Sequence, residues 1–326
     1  MKKLTLLIFC MLAMITFTNA QDQESDFKAS GKPFIKVFTN YHSSFTGDQV
    51  QNAFEIQRAY FGYSFDLSEK YSGKVTLDVG DPGTGKLQLT AYLKNAYFQY
   101  RHDKFTAKFG MIGLSQFGMQ EKQWAGRYLY KSFQDEHKFG SSADLGVYAA
   151  YKLHSMVSID ASVLNGEGNK SLEMDSVLKY TVGLTLQPVK GLDFRAYYDR
   201  MGKDVPQQTL SFYTGYTHKK MKFGAEYNYQ MNNNENAAQN QTGLSFYGSY
   251  KMKKARVFGR YDQLTSNHII TSPDPWNYAK DGQAVLAGIE FAPVKGIKIT
   301  PNYQLWMPAD GTDYNHTAYL SCEISF

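Results

Sequence analysis

Runs of about ten residues in which apolar and polar side chains alternate constrain this chain more than any other feature. In one run, Leu178, Tyr180 and Val182 alternate with Lys179 and Thr181. A period of two is typical of a β-strand, because successive side chains point to opposite faces. A length of about ten residues is also what a tilted strand needs to cross a bilayer. The pattern predicts strands that each have one apolar and one polar face.

Such runs recur along the whole chain and predict about sixteen strands, an even number that suits a bacterial single-chain barrel. They are expected to begin near Phe34, Phe54, Lys74, Leu89, Phe105, Asp144, Val157, Leu178, Leu192, Leu210, Lys222, Leu244, Arg256, Ala284, Ile297 and His316. Short connections alternate with longer ones. This alternation favours an up-and-down barrel with tight periplasmic turns and larger external loops over a Greek-key sandwich. The longer connections include Thr46–Asn52, Asp81–Lys86, Gln116–Ser142 and Thr265–Gln283.

The two ends of the chain indicate export to a bacterial outer membrane. Lys2 and Lys3 precede the apolar run Leu4–Phe17, and small residues follow at 18–20, as in a cleaved secretory signal. We therefore expect a signal peptide at 1–20, a short periplasmic tail at 21–32 and an all-β transmembrane antiparallel barrel at 33–326. The last alternating run ends in Phe326, and a terminal aromatic residue resembles the signal by which the barrel-assembly machinery recognises outer-membrane proteins.

The composition narrows the function classes. Aromatic residues make up 15% of the chain, which suits a barrel with aromatic girdles at both membrane interfaces. Without the signal the charge is nearly balanced, which gives no reason to expect nucleic-acid binding. The one remaining cysteine, Cys322, cannot form an internal disulfide and is expected on the lipid-facing side of the last strand.

The third long connection, Gln116–Ser142, is both aromatic and charged and is far longer than the others. Its aromatic residues would be buried if it folded into the barrel and narrowed a pore. The alternative is a loop packed over the barrel mouth or into a subunit contact. The candidate constriction residues are Lys122, Trp124, Arg127, Lys131, Asp135, Glu136 and Lys138.

The stretches Arg127–Glu136, Phe139–Val147, Phe54–Gly62 and Lys94–Tyr97 resemble porins of the phosphate-selective O and P type. The resemblance is clearest from Phe54 to Val147 and weak afterwards. It implies a sixteen-stranded barrel, often a homotrimer, that passes small solutes. Phosphate-selective members line the pore with a dense arginine ladder and a lysine cluster, and this sequence departs from that pattern.

Charges on the inward faces of the expected strands nearly cancel. The basic candidates for the pore wall are Arg58, Lys74, Lys108, Lys179, Arg195, Lys222, Arg260 and Lys298. The acidic ones are Asp78, Asp144, Asp160, Asp193, Asp199, Glu226, Asp262, Glu290 and Glu323. Since selectivity follows the field at the narrowest point, the total charge does not decide it. Lys94 breaks the alternation, so that a β-bulge is expected to turn it inward unless it snorkels.

Catalytic and cofactor motifs give little support to an enzyme, and we expect no cofactor. The run Gly80–Lys86 has phosphate-loop spacing, but Leu87 replaces the Ser or Thr, and a strand follows where a helix is required. No Gly-x-Ser-x-Gly elbow occurs. The sequence therefore predicts a porin for passive diffusion of small hydrophilic solutes or ions, with anion or phosphate preference left open. The alternative is a structural or binding barrel that acts through its long loops.

Overall fold

Sixteen antiparallel strands form one closed barrel in the computed structural model, which describes residues 27–81, 89–270 and 273–326. The strands are β1 Ser30–Thr46, β2 Gln49–Asp66, β3 Tyr71–Gly80, β4 Thr90–His102, β5 Phe105–Gly113, β6 Ala143–His154, β7 Val157–Leu164, β8 Lys179–Val189, β9 Leu192–Met201, β10 Gln207–His218, β11 Met221–Met231, β12 Gln241–Lys251, β13 Ala255–Ser266, β14 Gly282–Phe291, β15 Ile297–Pro308 and β16 Asn315–Ser325. Each pairs with its neighbours in sequence, and β1 closes on β16 with Lys36 opposite Ser325. The prediction of an up-and-down barrel is confirmed.

The alternation in sequence becomes an alternation between the two faces of the barrel wall. In β8, Lys179 and Thr181 are buried on the inner face, whereas Tyr180 and Val182 are about half exposed on the outer face. The same holds in the other strands, so that large apolar side chains cover the outside. An apolar outer band with a polar interior is the arrangement of a barrel in a bilayer.

The first two strands depart most from the expected bounds. β1 begins at Ser30, inside the predicted tail 21–32, and β2 begins at Gln49 instead of near Phe54. The predicted long connection Thr46–Asn52 is therefore wrong. A two-residue turn replaces it, in which Gly47 has φ 54°, a conformation that glycine adopts without strain. Polar residues continue the pairing of β1 with β2 beyond the apolar run. The prediction rested on the apolar residues and therefore ended the strands too early.

A β-bulge lies opposite Thr76 and Leu77, where β3 pairs with Asn95 and Leu93. Lys94 is the extra residue between these two partners. The bulge turns its side chain to the inner face, where its ammonium donates to Ser142 Oγ. The expectation of a bulge at this lysine is confirmed.

The last strand joins the barrel at its seam. The N–H of Phe326 donates to the carbonyl of Ile35 at 2.9 Å. Cys322 lies opposite Thr39 in β1, on the outward face that also carries Leu320 and Ile324. The predicted signal at 1–20 and residues 82–86 of the run Gly80–Lys86 lie outside the described residues. Within the described part of the chain, helices do not reach the length and apolarity needed to cross a membrane.

Candidate pore lumen

The segment between β5 and β6, residues 114–142, is here called the inner segment. It contains two short helices, α1 Gly118–Trp124 and α2 Phe133–Glu136. Ala125 caps the C-terminus of α1; it has φ 55° and donates its N–H to the carbonyl of Glu121. Among the described residues, the largest fully buried side chains belong to this segment: Trp124, Tyr128, Phe133 and Phe139.

The inner segment packs on inward-facing side chains of β10 to β13. The Trp124 ring meets Tyr247 and Phe258 edge-on, with centroids 5.6 Å apart in both pairs. Gln134 Nε2 donates to Ser211 Oγ at 3.0 Å. Phe246 and Phe212, the outward-pointing neighbours of Tyr247 and Ser211, are about half exposed. The aromatic residues of the segment are therefore buried against the inside of the barrel wall.

The tip of the inner segment reaches close to the short turns at the far end of the barrel. Gln123 Nε2 donates to the carbonyls of Tyr216 and Phe223, both at 3.0 Å. Those residues lie two or three positions from the β10–β11 turn. Arg256, the second residue of β13, donates to the carbonyl of Trp124 at 3.2 Å. The segment thus spans most of the barrel height along this side.

Arg127 is held inside the segment by two carboxylates. Its Nη1 donates to Glu121 Oε2 at 2.8 Å and also to Asp135 Oδ2. Burial lowers the pKa of Arg127, but Asp135 and Glu121 outweigh it and raise that pKa well above its usual value. Burial likewise raises the pKa of Asp135, and the neighbouring Arg127 outweighs this and holds it below the usual 3.8. The guanidinium stays charged and fixed in direction.

A cavity of about 640 Å³ lies between the inner segment and the wall formed by β1–β5, β15 and β16. We call it the lower cavity, because Phe34 and Lys74 place it toward the short turns. Its charged lining is mainly basic. The cations are Lys36, Lys74, Lys94, Lys122, Arg127 and Lys298, and the carboxylates are Glu121 and Glu323.

The two carboxylates of the lower cavity are already paired. Glu323 binds Lys298 at 2.7 Å, as Glu121 binds Arg127. Among the described residues, no ion pair holds the other four cations, which we call the open lysines. They are Lys36, Lys74, Lys94 and Lys122. Their field therefore acts on the contents of the cavity, since no carboxylate neutralises them at close range.

A second cavity of about 370 Å³, the upper cavity, lies toward the long connections. Its charges are mixed, with Arg58, Lys131, Glu55 and Glu136 in the lining. Phe38 and Arg127 are the two residues that the linings of the lower and upper cavities share. They therefore mark the place at which the cavities adjoin.

The opposite side of the lumen holds predicted wall residues in buried ion pairs. Lys179 binds Asp199 at 3.0 Å, and Arg195 binds Asp160 at 2.8 Å. Arg260 binds Asp262 at 2.6 Å, and its guanidinium also lies over the Trp124 ring. All these side chains are at most 8% exposed, so they lie behind the surface that a solute would meet.

The remaining predicted residues are spread over both cavities and the wall. Lys74 and Lys298 line the lower cavity, and Arg58 lines the upper one beside Asp78 at 3.0 Å. Lys108 lies over the rings of Tyr97 and Tyr148, and Lys222 lies near the start of β11.

The predicted constriction residues divide in the same way. Lys122 and Arg127 line the lower cavity, and Arg127, Lys131 and Glu136 line the upper one. Trp124 and Asp135 hold the inner segment together, and Lys138 is exposed.

Sequence reasoning missed Lys36. It alternates with the outward residues Ile35 and Val37 in β1, so the period of two could have placed it on the inner face. Glu121 was also missed as the partner of Arg127, because the fold of the inner segment brings them together and no periodicity signals that contact.

The sequence matches no protein-family model and no curated protein. Solved structures give a likeness of fold. OmpF of Salmonella typhi, in complex with daunomycin, has a TM-score of 0.68 and 13% identity, covering 91% of this chain and 97% of that one. The outer membrane channel DcaP of Acinetobacter baumannii has a TM-score of 0.68 and 13% identity, covering 93% and 99%.

An anion-selective porin from Comamonas acidovorans is also similar, with a TM-score of 0.64 and 9% identity, covering 92% of this chain and all of that one. At such low identity the likeness establishes a porin-type barrel fold.

Proposed function

We propose that the protein is an outer-membrane porin that passes small hydrophilic solutes by passive diffusion and prefers anions. The observation that carries the proposal is the pair of adjoining cavities beside the inner segment, whose lower member contains the open lysines. A barrel of this strand number is wide enough to hold a water-filled channel. The inner segment narrows it, and the contact of the cavities at Phe38 and Arg127 is the constriction.

The anion preference follows from which charges face the path. Paired charges in the wall cancel at short range, whereas the four open lysines add their fields in one confined space. Phosphate is a candidate solute within this class. The lysine cluster is one of the two features that phosphate-selective porins share, while the buried arginines of the opposite side are turned away from the path.

The proposal includes the cellular route. Residues 1–20 are removed on export, and the barrel-assembly machinery inserts the chain through its last strand, which Phe326 follows. The long connections then face the outside and the short turns face the periplasm. Association into homotrimers belongs to the same proposal, and outer-membrane lipid surrounds each barrel.

Single-channel recording of the purified protein in a planar bilayer tests the pore. We expect ohmic conductance steps that become larger when residues 120–138 are deleted. A matched control replaces residues in the exposed connection 166–176 and should leave the step size unchanged. If the intact barrel gives no conductance, the porin proposal fails, and a structural or binding role of the long connections becomes the better account.

A further inference from the structure

The two ends of the barrel carry opposite charge. At the end of the short turns, which we call the lower rim, the connections contain the lysines Lys70, Lys104, Lys190, Lys219, Lys220, Lys253, Lys254 and Lys295. The carboxylates of those same connections are Glu69 and Asp103. Lys152, Lys251 and Asp66 lie at or near the adjoining strand ends. The lower rim is thus strongly basic around the whole circumference.

The connections at the other end reverse this balance. In the described part of the chain, outside the inner segment, their carboxylates are Asp48, Asp81, Glu167, Glu173, Asp175, Asp204, Glu235, Asp274, Asp281, Asp310 and Asp313. Their lysines there are Lys170, Lys203 and Lys280. Charge that served only solubility would not need to separate by sign between the two ends.

The lysines of the lower rim are available to a partner. Every one of them is exposed. Within the described residues, none forms an ion pair with a carboxylate of the chain. Their charges are therefore not neutralised by the protein itself.

Aromatic side chains on the outer wall adjoin the lower rim. Tyr71, Phe105 and Tyr151 lie within a few residues of the turns and are about 40% exposed. Tyr216, Tyr250 and Phe291 occupy the same level on the other strands. Aromatic rings at this level mark the interface between the hydrocarbon and the headgroups. The lysines just beyond them are at the depth of the headgroup phosphates.

We propose that the lower rim binds the anionic phospholipid headgroups of the leaflet that surrounds it. The partner is a lipid surface because the charge runs around the full circumference, and a membrane leaflet meets every turn, unlike a protein docked on one side. Lysines near a membrane surface are attracted to the headgroups of anionic lipids. A zwitterionic headgroup has no net charge and attracts them much less. The acidic opposite end gains nothing from an anionic leaflet, so the lower rim also fixes which end faces it. This inference rests on the proposed function, since it requires a barrel that spans the membrane.

Spin-labelled lipids test the proposal in vesicles of phosphatidylcholine that contain the full chain. Electron spin resonance measures how strongly labelled phosphatidylglycerol is held at the barrel relative to labelled phosphatidylcholine. We expect a preference for phosphatidylglycerol of about fivefold, the factor for one lysine at an anionic headgroup. The preference should vanish in about 1 M salt, where the Debye length is about 3 Å.

Two double variants provide a matched comparison. Lys253→Gln with Lys254→Gln removes two charges from the lower rim, and Lys203→Gln with Lys280→Gln removes two from the opposite end. Adding Lys219→Gln and Lys220→Gln to the first should lower the preference further, with six of the ten lysines left, whereas the second double variant should keep the wild-type value. Equal losses in the two double variants, or no loss in the fourfold variant, would overturn the proposal.

Conductance of the same samples separates this proposal from the porin proposal. A barrel that conducts but shows no lipid preference overturns the lipid proposal alone. A lipid preference without any conductance overturns the porin proposal alone. If the fourfold variant changes the anion selectivity and leaves the lipid preference intact, the lower rim acts on solutes and the lipid proposal is wrong.

Discussion

The two sides of the lumen both contain charged residues and use them differently. On the side of β7 to β14, Lys179, Arg195 and Arg260 are buried in ion pairs. On the side of β1 to β5, the open lysines line a cavity. The difference teaches that pairing and exposure, more than the number of charges, decide whether a charge acts on a solute or on the fold.

Replacing Trp124, which anchors the inner segment to the barrel wall, should have the largest effect on the difference between the two sides. Trp124 is 2% exposed between Tyr247, Phe258 and Arg260. Trp124→Ala should destabilise the packing by about 3–5 kcal/mol, the usual cost of emptying such a site. We expect a larger and noisier single-channel conductance. Trp276→Ala, in a long connection, is the control, and equal conductance changes in both variants would contradict this role for Trp124.

Breaking an ion pair on the side of β7 to β14 should reduce the stability of the barrel without altering its ion selectivity. Lys179→Met leaves Asp199 buried without its cation, at a cost of about 3–5 kcal/mol. The midpoint of heat-modifiable gel migration should fall. The double variant Lys179→Met with Asp199→Leu should recover most of the loss, because no uncompensated charge is left. If the single variant shifts the reversal potential instead, these charges face the solute path after all.

Acidification should have the smallest effect, and His137 should cause it. Burial lowers the pKa of His137 from its usual 6.5, and Nε2 is buried without a partner among the described residues. The neutral ring therefore contributes stability that is complete above pH 6.5 and decreases as the pH falls toward its lowered pKa. Current noise from the inner segment should rise slightly between pH 6.5 and 5.

The variant His137→Gln should make that noise independent of pH. Asp135 is not a competing cause, because Arg127 holds its pKa below 3.8 and it stays ionised over this range. A noise increase that persists in His137→Gln would exclude the histidine.

The barrel could be predicted from the sequence because the patterns that specify its strands lie in short, continuous stretches of the chain. Alternation, run length and connection length place the strands, and the bulge at Lys94 follows from one break in that pattern. The turn at Gly47 could not be placed, since polar residues that extend a hairpin beyond the apolar band leave no apolar signal.

The site was less predictable for a different reason. Periodicity assigns Arg260 and Lys74 to the same inner face, but only the path of the inner segment decides that Arg260 is covered, by Trp124 and Lys131, and that Lys74 is open. That path depends on contacts such as Gln134 with Ser211, which lie far apart in sequence.

The reversal potential in a salt gradient tests most directly whether the open lysines set the selectivity. The wild-type pore should prefer anions. The triple variant Lys36→Gln, Lys74→Gln and Lys94→Gln should lose most of that preference, while three substitutions on the lower rim, Lys219→Gln, Lys220→Gln and Lys253→Gln, should leave it nearly unchanged. A wild-type pore that prefers cations, or a triple variant with the wild-type reversal potential, would contradict the account.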